Sequence, residues 1–319
     1  MTRSSRANPV CERAAVTLHA LGLRSCADAS GVEVSALSGG CIHSVWRVAF
    51  DRSALDVESV VMKMADGDAA RFMEIEAHGL RRLAETGTIR VPEVHGVLDD
   101  DAGAVLVMEH LQRRGGGASG VEWSAFGTAL AAMHAFGGAD PGTARRYGDE
   151  FDGVLGTTPQ ENGWCDDWVE FVRTRRLGPM LEALRQRDLL HDAEMAQMKR
   201  VIDALDRLLI ADPHPARLHG DLWSGNALAT GDGIAIIDPA HFVGDPLAEL
   251  GIMELFGGVP DPALAAYHEV ARSGVLGSME RAETRIAVFR LHHLLNHVLI
   301  FGRGYADQAM AEARRLLKG

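Results

Sequence analysis

Three side chains able to do phosphoryl chemistry stand close together: Asp221, Asn226 and Asp238. They occur in Leu218-His219-Gly220-Asp221-Leu222-Trp223-Ser224-Gly225-Asn226 and then Ile236-Ile237-Asp238-Pro239, each beside an apolar, strand-like run. A kinase needs such a set: one carboxylate receives the proton of the attacking hydroxyl, while an amide oxygen and a second carboxylate hold Mg²⁺ against the nucleotide phosphates. Mg²⁺ is a hard ion that keeps part of its water shell, so one or two protein oxygens suffice. The order H-x-D-x-x-x-x-N, followed by a strand ending in Asp, follows the protein-kinase pattern, with Gly220 where those enzymes carry Arg. Taken singly, each residue is an ordinary turn former. Taken together, they assign Asp221 as the base and Asn226 and Asp238 as metal ligands. His219 and Trp223 are grouped on the acceptor side of the loop. His219 is expected to brace the loop by hydrogen bonds, and Trp223 is either a core tryptophan or a flat surface on which a sugar stacks.

Such a loop needs a partner that holds phosphates. Ser59-Val60-Val61-Met62-Lys63-Met64 reads as a strand with a lysine in its apolar middle. An edge strand often carries a lysine as protection against aggregation; the other reading is the lysine that binds the α and β phosphates. The next helix favours the second. From Ala69 onward, Phe72, Ile75, Glu76, Gly79, Leu80 and Leu83 share one face at helical spacing, which sets Glu76 in an apolar stripe. An unpaired carboxylate there is costly, and a Lys63–Glu76 pair meets that cost as in the kinases. Upstream, a strand over 33–37 enters Ser38-Gly39-Gly40-Cys41 and a second strand over 44–50 returns from it. Gly39 and Gly40 allow backbone N–H groups to approach phosphates, yet an ordinary hairpin explains them equally. Cys41 is either a small buried residue or an exposed thiol open to oxidation.

Further strands are expected at 94–98 and 104–109. The composition then shifts at Gln112-Arg113-Arg114-Gly115-Gly116-Gly117-Ala118-Ser119-Gly120, which reads as the exit from a hinge. Beyond it the chain turns helical, over 121–136, 164–190, 194–210, 247–256, 263–270, 281–301 and 306–317. Three parts follow: a nucleotide-binding lobe at 1–111, a linker at 112–120 and a helical catalytic and substrate lobe at 121–319. His293 and His297 lie four apart on one helix, but the glutamate of a zinc motif and a third ligand are missing, so a metal site is rejected there.

Composition sets the outer limits. Hydrophobic residues make up 47% and charged residues 24%, as in ordinary globular proteins. The net charge, 32 − 44 = −12, argues against a nucleic-acid partner. No long uncharged apolar run suggests a membrane span, and no signal peptide is evident. The four cysteines form no C-x-x-C pair. A cytoplasmic protein, monomeric or weakly dimeric, is the expectation.

The combination of HGDLWSGN, IDPA and AELGIMELFGG (248–258) resembles the fructosamine kinase, or ketosamine-3-kinase, family, over a span from Gly39 to about Tyr267. Thr158-Pro159-Gln160-Glu161-Asn162 is similar to that family's P-Q-x-N segment, though its preceding Asp-Asn stands here as Asp152-Gly153. The resemblance implies the fold of the aminoglycoside phosphotransferases: a protein-kinase-like bilobal α+β structure, with a small antiparallel-sheet lobe, a mostly helical lobe and an active-site cleft. It implies ATP and Mg²⁺ as cofactors, adenine bound by backbone groups around Glu109, and a ketosamine acceptor, small or protein-bound, phosphorylated on its 3-hydroxyl. Kinases of aminoglycosides, choline or other amino-alcohols share the HGD…N…D core. A pseudokinase module remains the reading from another class.

Overall fold

Lysine 63 stands on the middle strand of a five-stranded sheet. The computed structural model describes residues 8–37, 44–51, 57–137, 147–255 and 258–318; the turn carrying Gly39, Gly40 and Cys41 lies outside them, as do Phe256 and Gly257. The chain divides into two compact units, 1–81 with 92–112, and 82–91 with 113–319.

The first unit contains α1 (Pro9–Ala20), β1 (Val32–Ala36), β2 (Ser44–Phe50), β3 (Ser59–Ala65), most of α2 (Arg71–Ala84), β4 (Val94–Asp100) and β5 (Gly103–Glu109). Its sheet is antiparallel in the order β1-β2-β3-β5-β4. Strand β3 therefore has neighbours on both sides, which removes the edge-strand explanation for its lysine. Ala14, Ala15 and Leu18 of α1 pack with Val48, Val60, Met62, Val105 and Val107 of the sheet. Apolar area removed from water drives this packing, at about 25 cal/mol per Å². In α2 the most deeply buried residues are Met73, Ala77, Leu80 and Leu83, while Phe72 and Ile75 are only half-buried. The buried face is thus turned slightly from the expected one, and Glu76 lies on its flank.

The second unit is mostly helical: α3 (Gly120–Ala135), α4 (Trp168–Val172), α5 (Gly178–Gln186), α6 (Asp192–Asp203), α7 (Leu205–Leu208), α8 (Pro246–Met253), α9 (Asp261–Ala271), α10 (Ala282–Phe301) and α11 (Ala306–Lys318). Among the described residues run three two-stranded ribbons: β6 (Gly153–Leu155) with β7 (Thr158–Gln160), β8 (Ala216–Leu218) with β11 (Phe242–Gly244), and β9 (Ala227–Thr230) with β10 (Gly233–Ile236). Helix α3 opens with a capping box between Ser119 and Glu122. The helix expected over 164–190 is interrupted by a π-turn at 173–177, just ahead of Gly178-Pro179, whose proline has no N–H for a regular ladder. Trp168 centres the core, stacked on Phe171 at 5.5 Å and Phe289 at 5.6 Å. Residues 82–91, grouped by sequence with the first lobe, are tied into this unit. Arg217 Nη1 donates to Arg82 O and Glu85 Oε2, both at 2.7 Å, and Ile236 N donates to Arg90 O at 2.9 Å. Among the described residues, no helix is long and apolar enough to cross a membrane.

Candidate active site

Ribbon β8–β11 and ribbon β9–β10 hold the two ends of the loop 219–226. Leu218 pairs with Phe242, and Ile236 pairs with Ala227, so the loop leaves one ribbon and enters the other. Asp238 follows β10 directly. Two hydrogen bonds draw the segments together: Ile237 N donates to Asn226 O at 3.0 Å, and Ala240 N to His219 O at 2.8 Å. Gly220 has φ +83, and a Cβ there would stand 2.1 Å from Ala240 O. The crossing admits only glycine, which gives the physical reason that no arginine occupies this position. Asp238 itself has φ +59, an uncommon conformation for a residue other than glycine.

His219 is fully buried. Its Nε2–H donates to Ile237 O at 2.8 Å, and its Nδ1 accepts from Asp221 N at 3.3 Å. Burial lowers its pKa, outweighing the opposing pull of Glu249, the Ile237 bond and Asp238. Its grouping with the acceptor side is therefore corrected: both ring nitrogens are turned into the loop, and none of its surface is left for a ligand.

Asn226 is buried; its Nδ2 donates to Asp221 O at 2.9 Å and lies 3.4 Å from Asp221 Oδ2. Neither contact uses the amide oxygen. The Asp221 carboxyl is pushed up to about 8, first by burial, then by the carboxylates of Glu249 and Asp238, against the opposing hydrogen bond from Asn226. A loop that gathers carboxylates until one of them resists ionising is short of positive charge. An oxygen-rich donor set of this kind suits a hard divalent cation.

In the first unit, Lys63 is buried and its Nζ donates to Glu76 Oε1 at 2.6 Å, so the expected pair forms. Glu109 closes β5, its N–H committed to Glu93 O at 2.8 Å. Trp223 is 41% exposed, which excludes the core-tryptophan reading. Gly39 and Gly40 lie outside the described residues. On α10, His292 and His293 face the interior, and His297 Nδ1–H donates to His293 O at 2.9 Å.

The loop's main support was not read from the sequence. Glu249, 2% exposed, accepts from His219 N at 2.5 Å and Gly220 N at 3.0 Å. Burial works against its charge, yet His134, His219 and these backbone bonds hold its pKa below the ordinary value. Behind it, His134 Nε2 lies 3.9 Å from Glu249 Oε2, and His134 Nδ1 bonds the Tyr267 hydroxyl at 2.8 Å. The signal was present: in Pro246-Leu247-Ala248-Glu249-Leu250-Gly251-Ile252-Met253, Glu249 is the single charge, and such a carboxylate needs a buried partner.

A family model described as fructosamine kinase matches residues 22–319. Ketosamine-3-kinase of Mus musculus is 32% identical, over 88% of this chain and 93% of its own length. The chloroplastic protein-ribulosamine 3-kinase of Oryza sativa subsp. indica is 35% identical, over 87% and 77%. Among solved structures, a candidate fructosamine-3-kinase from Thermobifida fusca superposes with a TM-score of 0.76 at 31% identity, over 91% of this chain and 94% of that one. Aminoglycoside phosphotransferase APH(4)-Ia shares the fold, with a TM-score of 0.60 at 15% identity over 97% and 98%. The protein-kinase-like α+β class expected from the sequence is the class found. The loop 218–226 with its following Asp238, the Lys63–Glu76 pair and a match over nearly the whole length lead to one assignment: the chain belongs to the fructosamine kinase family.

Proposed function

We propose that this kinase transfers the γ-phosphoryl group of ATP to the 3-hydroxyl of a ketosamine, the adduct of a sugar with an amine or a protein lysine. The observation that carries the reading is the loop 219–226, with its carboxylate, amide and following Asp238, in a chain of the fructosamine kinase family. Asp221 orients the acceptor hydroxyl and takes its proton. Lys63, positioned by Glu76, binds the phosphates. Adenine meets main-chain groups at the end of β5 other than the Glu109 N–H, which is committed. Asn226, through its amide oxygen, and Asp238 would hold Mg²⁺; when bound, that ion neutralises charge on the phosphates in flight. His219 and Glu249 keep the Asp221 backbone in place while the proton moves. Trp223 offers the acceptor an aromatic surface two residues from the base.

The names of the relatives support the acceptor class, since the mouse protein is a ketosamine-3-kinase and the rice protein a protein-ribulosamine 3-kinase. The test is an ADP-release assay with ATP and Mg²⁺ over fructoselysine, ribuloselysine, the free sugars, an aminoglycoside and choline, with ³¹P NMR of the product. A ketosamine should have the highest kcat/KM and be modified on its 3-oxygen. A far higher kcat/KM for an aminoglycoside or choline rejects the acceptor. Stabilisation by ATP and Mg²⁺ without transfer to any acceptor would mark a nucleotide-binding module instead.

A further inference from the structure

The loop that carries the base has one large side chain outside the protein interior. Leu222 is fully buried, and Trp223 beside it is 41% exposed. The Trp223 backbone is extended, with φ −96 and ψ 170. It is fixed on both sides, since Trp223 N donates to Asp221 O at 3.1 Å and Asn226 N donates to Trp223 O at 3.0 Å. The indole folds back along this same loop. A Cβ built on Gly225 would stand 2.2 Å from Cη2, 2.3 Å from Cζ2 and 2.7 Å from Cε2 of Trp223. Only a residue without a side chain tolerates such an approach. The φ of Gly225 lies outside the left-handed range, so its backbone conformation does not call for glycine; the indole does.

We propose that Gly225 is a specificity-determining position, which sets acceptor selectivity by reserving the space in which the Trp223 ring lies. The inference rests on the reading of this loop as the acceptor-phosphorylating loop of a ketosamine kinase. Asp221 is two residues from the ring, so the same short turn that places the base also places the aromatic surface. A ketosamine carries an apolar C–H face and a protonatable amine. An indole stacks against the first and attracts the second through its π-electrons, whereas a free ketose offers no cation. A tryptophan fixed by its own loop also loses little side-chain entropy on binding, having two torsions to restrain. A methyl group at 225 meets the far edge of the ring, the part of the side chain that moves most easily. The loop therefore keeps its backbone and the platform turns.

The test is a double-mutant cycle of Gly225→Ala with Trp223→Ala, with iodide quenching of the Trp223 emission taken as the difference from Trp223→Phe. In the otherwise wild-type protein, Gly225→Ala should raise KM for fructoselysine about tenfold, the scale of one misplaced methyl group in a binding site. KM for ATP should stay within about twofold, as for a change confined to the acceptor, and Tm should not move. The quenching of Trp223 should change. In the Trp223→Ala background, Gly225→Ala should add nothing, because the two positions act through one ring. Unchanged quenching overturns the proposal, as does a Gly225→Ala effect of equal size in both backgrounds. The quenching measurement needs no turnover, so it stands apart from the parent reading, which fails instead if the wild-type protein phosphorylates no ketosamine.

Discussion

Asp245 and Asp221 are two acidic residues of the same unit treated in opposite ways. Asp245 is 1% exposed, and its two oxygens take Nε and Nη2 of Arg285 at 2.8 and 2.6 Å. One of them also caps α8 by accepting Leu247 N at 3.0 Å. Arg285 Nη1 goes to the carbonyls of Ser278 and Glu280. Every charge there has its counterpart built in. Asp221 has an amide and two further carboxylates around it, and its own carboxyl is raised to about 8. The difference separates charge paired within the fold from charge crowded together in a loop. A carboxylate paired with a guanidinium that makes four hydrogen bonds ties α8 to α10; a carboxyl whose pKa is raised by burial and neighbouring carboxylates marks a candidate functional site.

The comparison can be broken most sharply at its two centres. Asp221→Asn should lower kcat by roughly 10²–10⁴, the usual contribution of a positioned base, while Tm holds or rises and ATP still binds. Loss of ATP affinity with normal turnover would mean that the base is elsewhere. Arg285→Met should do the reverse. It strands Asp245 and should cost about 3–5 kcal/mol of unfolding free energy, read by denaturant titration. A stability loss below about 1 kcal/mol, the level of an exposed pair, would show that the pair is not part of the framework.

Smaller effects sharpen the contrast. Millimolar Mg²⁺ with ADP should raise Tm of the wild-type protein by mass action, and Asp238→Ala should remove most of that rise. An equal rise without Mg²⁺ would remove Asp238 from the metal. Tyr267→Phe deletes the bond to His134 behind Glu249. At about 0.5–1.5 kcal/mol for a hydrogen bond, kcat should fall by no more than about tenfold, with KM for ATP unchanged.

The last effect is absent at neutral pH and grows in acid. Burial lowers the pKa of His293 to about 3 and that of His292 well below its ordinary value. Below about pH 6.5 the unfolded chain takes up a proton that the folded His293 refuses, so stability falls as pH drops from there toward about 3. His293→Leu should flatten the stability–pH slope in that window by about 1.4 kcal/mol per unit. An unchanged slope would place the acid sensitivity elsewhere.

What was legible in the sequence follows from distance along the chain. Asp221, Asn226 and Asp238 share one short motif, and the cost of a carboxylate in the apolar stripe of α2 points from Glu76 to Lys63. The strands 44–50 and 104–109 and the helices 281–301 and 306–317 match the observed elements to within a residue at each end. What failed was long-range. Glu249 reaches His219 across 30 positions and Arg285 reaches Asp245 across 40; the lone charge of α8 signals a need for a partner, and nothing local says which residue it is. The exposure of Trp223 was undecidable, because its surroundings are set by the fold of its own loop. The break at 173–177 was hidden by continuous helical periodicity, with only Gly178-Pro179 as warning.

The loop 219–226 meets the rest of its unit mainly through its first residues and its last. His219 and Gly220 are held by Glu249, Ile237 and Ala240, while Trp223 and Gly225 are exposed. On the proposed reading, substitutions at Trp223 and Gly225 should alter which acceptor is taken while leaving the contacts of His219 and Gly220 in place. A laboratory library confined to those two positions should therefore shift the acceptor range without loss of transfer.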